Sequence, residues 1–232
     1  MKFKDYKYIG DPINAIKIFN EKEVDELIFL DIQATLAKQA PNYQMLADIA
    51  SECFMPLCYG GGIKSIQEIE KILYTGVEKV AINSAAFENP SLIEEAVKNF
   101  GSSTIVVSID VKKTLLSGPQ VFTNSGKFNT KRNPLDFAKQ METLGAGELL
   151  LNSIDADGTM AGYDLKLVEG ITKSVSIPVI ACGGAGSIKD MHEVVNKANA
   201  SAVAAGSFFV FQGKHRAVLI TYPSKETLEK VL

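Results

Sequence analysis

Four aspartates in this 232-residue chain stand at or just past the ends of apolar runs. Asp31 follows "ELIFL", Asp110 follows "STIVVSI", and Asp155 and Asp157 follow "GELLLNS". A carboxylate in such a place suits proton transfer, because partial burial disfavours its charged form and raises its pKa. Asp110 is the sharpest candidate, since its run is almost wholly apolar. Taken singly, each aspartate reads equally well as a helix cap or a loop acceptor. Asp11, before Pro12, reads only as a cap.

Two glycine clusters accompany the acids, in "MPLCYGGGIKSIQEIEKIL" from Met55 and "IPVIACGGAGSIKDMHEVV" from Ile177. Glycines after a strand let backbone N–H groups approach an anion, and the helix that follows adds partial positive charge. Two such turns on one face predict two phosphate grips, one for each end of a substrate. The first would use Gly61, Gly62 and the backbone at Asn83–Ser84. The second would use Gly158, Gly183, Gly184, Gly206 and Ser207. A carboxylate lying between two phosphates would serve as general acid and base.

The clusters are also in register with one another. Pro56 and Pro178 are 122 positions apart, and the same offset carries Gly61 to Gly183, Gly62 to Gly184, Ser65 to Ser187 and Glu26 to Glu148. One offset aligning motifs spread over some sixty residues points to a duplicated unit. The expected domain is single, residues 1–232, with half-barrel repeats over about 1–103 and 104–232.

Those residues must be held by alternating strands and helices. The strand-like runs are "ELIFLDI", "MPLCYGG", "EKVAINS", "STIVVSID", "GELLLNSID", "IPVIACGG" and "ASAVAAGSFF", seven in all. Amphipathic stretches separate them: "NYQMLADIASECF" places Leu46, Ile49, Ala50 and Cys53 on one face, and Ser65 with Glu68 forms a capping-box pattern. Apolar strands alternating with helices imply a parallel sheet, and the length fits one α/β TIM barrel. In such a barrel, strand C-termini surround the active mouth. The segment "KTLLSGPQVFTNSGKFNTKRN" after Asp110 predicts a hairpin-like loop at that mouth.

Composition narrows the function classes. Net charge is −3 and no long run of one sign occurs, so no nucleic-acid or anionic-membrane footprint is expected. No apolar stretch approaches the length of a membrane span. Cys53, Cys58 and Cys182 are odd in number and form no CxxC pair, which predicts reduced thiols, a cytoplasmic setting and no metal site. His192 and His215 fall in surface-like segments and are assigned no chemistry.

Together these residues resemble the HisF family, the cyclase subunit of imidazole glycerol phosphate synthase. The carriers are "DELIFLDI", "GGGI" with "KVAINSAAFENPSLI", "IVVSID", "GAGELLLNSIDADGT" with "GYD", and "IPVIACGGAGS", in order along the chain. The resemblance implies a duplicated (β/α)8 barrel with two phosphate sites and no cofactor. It implies a lyase of histidine biosynthesis that takes ammonia from a HisH-like glutaminase, joins it to a bisphosphate ribonucleotide, cleaves that substrate and closes an imidazole ring. By resemblance Asp110 matches a catalytic aspartate, Asn83 and Asp157 match substrate-face residues, and Glu26, Lys79 and Glu148 match a charged ring where ammonia enters. The family also carries a first strand, ending in a second catalytic aspartate, ahead of the region where this chain begins, so a barrel lacking its first strand is expected. Asn152 and Cys182 stand where the family usually has Thr and Ser, and Tyr59 is expected to enlarge the approach to the first glycine cluster. Such variations also resemble a HisF-like branch that delivers ammonia for amidation of surface sugars. A non-catalytic barrel that binds only phosphates or a glutaminase is a further alternative. The sister isomerase HisA is disfavoured by the Glu26, Lys79 and Glu148 set.

Overall fold

The computed structural model describes residues 1–4 and 7–230. Seven strands run parallel: β1 (Leu27–Leu30), β2 (Leu57–Gly60), β3 (Lys79–Ile82), β4 (Ile105–Thr114), β7 (Glu148–Ser153), β8 (Val179–Cys182) and β9 (Ala202–Ala204). They lie in the order β1-β2-β3-β4-β7-β8-β9, and among the described residues β1 and β9 are the edges of this path. Between β4 and β7, strands β5 (Gly118–Thr123) and β6 (Phe128–Asn129) fold back antiparallel on the extended end of β4, which is the expected hairpin. A separate two-stranded ribbon pairs β10 (Phe211–Gln212) with β11 (Ala217–Val218).

The helices are α1 (Pro12–Glu21), α2 (Ala34–Ala37), α3 (Tyr43–Glu52), α4 (Ile66–Tyr74), α5 (Ser84–Glu88), α6 (Ser91–Phe100), α7 (Pro134–Thr143), α8 (Leu165–Thr172), α9 (Ile188–Ala198), α10 (Ser207–Val210) and α11 (Lys225–Glu229). The longer helices pack on the outer face, and the short α2, α5 and α10 contribute to the cavity wall. Their starts follow from side-chain chemistry. Asp11 accepts from the Asn14 N–H ahead of Pro12, and Ser65 with Glu68 closes a full capping box at α4. Ser187 accepts from the Asp190 N–H at α9. Caps of this kind contribute about 1 kcal/mol each. Strands β2 and β8, helices α3 and α8, and helices α4 and α9 each begin 122 residues apart.

The pleat decides what faces where. Successive side chains on a strand point to opposite faces. On β4, Ile105, Val107, Ile109 and Val111 join the large core beneath the helices, while Val106 packs in a second cluster with Cys58, Ala81, Leu150 and Ile180. That second cluster draws one residue from each of five strands. The sheet curls around it, so that Leu30 of edge strand β1 and Val203 of edge strand β9 line one common cavity of about 1410 Å³. This is the TIM-barrel type of architecture.

Two expectations need correction. Tyr59 shares its phase with Leu57, so it is fully buried under the helices and stacks against Phe29 at 6.3 Å. It points away from the lumen and does not shape the approach to the first glycine cluster. The last strand is also shorter than "ASAVAAGSFF": it ends at Ala204, and Ser207 opens α10. Among the described residues, no helix is long and apolar enough to cross a membrane.

Gly147, just before β7, tests how tightly the outer layer is packed. A Cβ there would lie 2.2 Å from the Ser102 carbonyl oxygen, a backbone atom that cannot swing aside. Gly147→Ala is expected to cost about 1–3 kcal/mol in chemical denaturation, and an unchanged midpoint would contradict this packing.

Candidate active site

Asp110 is placed by phase and by pairing. It shares the inward phase of Val106 and Ser108, and parallel register sets it opposite Asn152 of β7. Asn152 in turn pairs with Cys182 of β8, and Cys182 with Ala204 of β9. This row lines the cavity at the C-terminal ends of the strands, where barrel enzymes keep their chemistry.

The Asp110 side chain is 8% exposed. Its Oδ1 accepts from Asn152 Nδ2 at 3.3 Å and its Oδ2 from Asn83 Nδ2 at 3.2 Å. Burial pushes its pKa up to about 7, the nearby Asp157 charge adds to the rise, and the two amides oppose it. Both charge states are therefore accessible near neutral pH. Asn152 keeps a buried Oδ1 with no hydrogen-bond partner. Cys182, beside it, is a partly buried thiol whose pKa is raised to about 12, first by desolvation and then by Asp157. It is held as a thiol and not as a nucleophile.

The other aspartates do local work. Asp31 accepts from the Gln33 and Ala34 N–H groups. Asp155 accepts from the Lys113 N–H and so ties β4 to the loop after β7. Asp157 lines the cavity and accepts from the Phe3 N–H at 3.3 Å.

One amide of Asp110 lies against the second glycine cluster, and the other precedes Ser84. Asn83 immediately precedes Ser84, and Asn152 Oδ1 would sit 2.7 Å from a Cβ at Gly183. Gly61 and Gly62 have φ of +144° and +69°, and a Cβ on either would strike the Asp31 or Gln39 carbonyl. Gly183 and Gly184 also have positive φ, and a Cβ at Gly184 would meet the Gly162 carbonyl at 2.1 Å. Close packing of the fold therefore accounts for these four. Gly206 differs: its Cβ would project into open space. Ser84 accepts from the Asn124 N–H of the β5–β6 turn at 3.1 Å, and Ser125 Oγ donates to the Ile32 carbonyl at 2.8 Å, so that turn spans the mouth. Gly158 and Ser207 meet on the opposite side, where Arg216 Nη1 donates to the Gly158 carbonyl and Nη2 to Ser207 Oγ.

At the opposite end of the sheet, Glu26, Lys79 and Glu148 form one cluster. Lys79 Nζ lies 3.1 Å from Glu26 and 2.8 Å from Glu148. Lys79 and Glu148 share the phase of the lumen-facing Ala81 and Leu150, and Glu26 lines the same cavity as Asp110. Burial alone would pull the Lys79 pKa down, but the hydrogen bonds to Glu148 and Glu26 outweigh it and the net movement is upward. Lys79 therefore stays charged between two acids.

Two residues of this site, Asn152 and Arg216, were not singled out as site residues from sequence. Asn152 was open to detection, because it ends an apolar strand as Asp110 does. Arg216 lies in a ribbon turn with no periodic pattern to mark it.

The family model described as "Histidine biosynthesis protein" matches residues 1–216. "Putative imidazole glycerol phosphate synthase subunit hisF2" of Pseudomonas aeruginosa is 56% identical over 229 residues, covering 99% of this chain and 91% of that protein. This chain belongs to the HisF family. The HisF resemblance extends to "Putative imidazole glycerol phosphate synthase subunit hisF3" of Vibrio vulnificus, 49% identical over 100% of this chain and 90% of that protein. It extends further to "Imidazole glycerol phosphate synthase subunit HisF" of Hydrogenobaculum sp., 44% identical over 91% of this chain and 84% of that protein.

The buried carboxylate of this HisF chain has a measurable signature. Its folded pKa is about 7 against an ordinary 3.8, so between those values the native state holds a proton that the unfolded chain has released. The group favours folding below that window and opposes it increasingly as pH rises through it. Asp110→Asn, neutral throughout, is expected to melt above wild type at pH 8, with the gap shrinking as the pH is lowered to 5. A gap independent of pH in thermal melts would count against a buried, proton-holding Asp110.

Proposed function

We propose that this chain is the cyclase subunit of an imidazole glycerol phosphate synthase, joining ammonia to a bisphosphate ribonucleotide, cleaving it and closing an imidazole ring. The observation that carries the reading is Asp110, a carboxylate with a pKa near neutrality, hydrogen-bonded to Asn83, which precedes Ser84, and to Asn152, whose Oδ1 lies beside Gly183. A group half-protonated near neutral pH can give and take a proton in the same turnover. Asp110 is thus the general acid and base. Asn83 and Asn152 orient it, and Asp157 biases it toward the protonated form.

Gly61, Gly62, Asn83 and Ser84 would hold one phosphate, and Gly158, Gly183, Gly184, Gly206 and Ser207 the other. The two grips fix the substrate ends and leave its reacting centre against Asp110. Ammonia would arrive from a HisH-like glutaminase docked at the Glu26, Lys79 and Glu148 end, in the cytoplasm. Glu26 of this charged cluster lines the same cavity as Asp110, so a small neutral molecule released beside it would have a walled route to Asp110. The names and extent of the HisF relatives support the same activity.

Two assays test this. Turnover of the bisphosphate ribonucleotide with ammonium should fall about 10²–10⁴-fold in Asp110→Asn, while substrate binding stays near wild type. With the glutaminase present, Lys79→Ala should depress glutamine-driven turnover far more than ammonium-driven turnover. Wild-type chain that binds substrate yet never turns it over with either nitrogen source would refute the cyclase reading.

A further inference from the structure

Arg216 is a cation held in place at the second glycine cluster by hydrogen bonds to neutral groups. Its guanidinium lies 4.7 Å from the centre of the Phe211 ring, and Lys7 Nζ lies 5.2 Å from the same centre. Lys7 also donates to the Arg216 carbonyl at 2.7 Å. Two like charges are therefore gathered on one ring. Among the described residues, no carboxylate pairs with either of them within 4.0 Å. Asp157 also lines this cavity, and its carboxylate accepts from Phe3.

The hydrogen bonds of Arg216 aim it at the cavity wall. Nη1 donates to the Gly158 carbonyl at 3.0 Å and Nη2 to Ser207 Oγ at 3.2 Å. Nη1 also lies 3.8 Å and 3.9 Å from the Met1 and Met160 sulfurs, which are weak acceptors. A guanidinium has five N–H groups in a rigid fork, so donors on Nε and Nη2 remain. Ser207 accepts from Arg216 and so keeps its own O–H to donate. Lys7, Gly158, Gly206, Ser207 and Arg216 all line the cavity that contains Asp110. The open space at Gly206 leaves room beside this set of donors.

We propose that Arg216, reinforced by Lys7, is the cation that binds the phosphate end of the substrate at the second glycine cluster, with Ser207 donating alongside it. A planar fork facing a tetrahedral oxyanion gives paired, charge-assisted hydrogen bonds, which a glycine turn alone does not supply. The proposal rests on the two-grip reading of the proposed function and adds the charged partner that the glycines lack.

Inorganic phosphate binding to the full chain, followed by calorimetry and phosphorus NMR, tests it. Wild type is expected to bind two phosphates. Arg216→Ala should weaken one of them roughly ten- to hundredfold and leave the other intact. Ser84→Ala should weaken the other instead. Arg216→Gln, which can still donate to Gly158 and Ser207 but carries no charge, should resemble Arg216→Ala in binding and wild type in melting temperature. Two wild-type sites that both survive Arg216→Ala and Arg216→Gln overturn the role of Arg216 and leave the two grips standing. A single wild-type site that survives both variants also overturns it. No phosphate bound by wild type overturns the two grips and Arg216 together.

Discussion

The carboxylate of Asp110 bridges three neighbouring parallel strands, and the rest of the site hangs from that bridge. Asn83 follows β3, Asp110 lies on β4 and Asn152 on β7, and two side-chain hydrogen bonds join them along the lumen wall. Neither amide could reach if any strand slipped by one residue, because a one-residue slip turns every side chain to the other face. The long β4–β7 ladder, paired from Val106 with Glu148 to Val111 with Ser153, holds that register. Thus the same ladder that buries the core also sets the ionisation of the candidate proton carrier.

Strand phase explains both what the sequence made legible and where reading it failed. Asp110, Asn83 and the glycine turns were recoverable because each ends an apolar run, and a parallel barrel gathers such ends at one mouth. The offset of 122 residues made Glu148 visible from Glu26, and both flank Lys79. Tyr59 differs from its expectation because its phase with Leu57 sends it under the helices, which a comparison of residue types alone does not show. Strand β9 is shorter than its apolar pattern because "GSFF" continues that pattern while the backbone turns into α10. Arg216 had no sequence signal at all: its position depends on a short ribbon folding back over Gly158 and Ser207, a contact 58 residues apart in one case.

The glycines carry a second lesson. Gly61, Gly62, Gly183 and Gly184 are required by backbone crowding whether or not an anion ever binds. A glycine-rich turn in a barrel is therefore ambiguous on its own, since tight strand-to-helix reversals need it regardless. What separates a grip from a mere turn is the company it keeps: a serine hydroxyl, an unoccupied donor, and a side chain left out where the backbone did not demand it, as at Gly206.

The β5–β6 turn reaches from the far end of β4 to Ser84 and on to the Ile32 carbonyl, just past edge strand β1. It passes over the intervening strands without pairing with them. A loop so attached ties the far end of β4 to the start of α5 and to the segment after β1. The rim of the lumen on this side is therefore closed by side-chain hydrogen bonds, Asn124 to Ser84 and Ser125 to Ile32, and not by strand pairing.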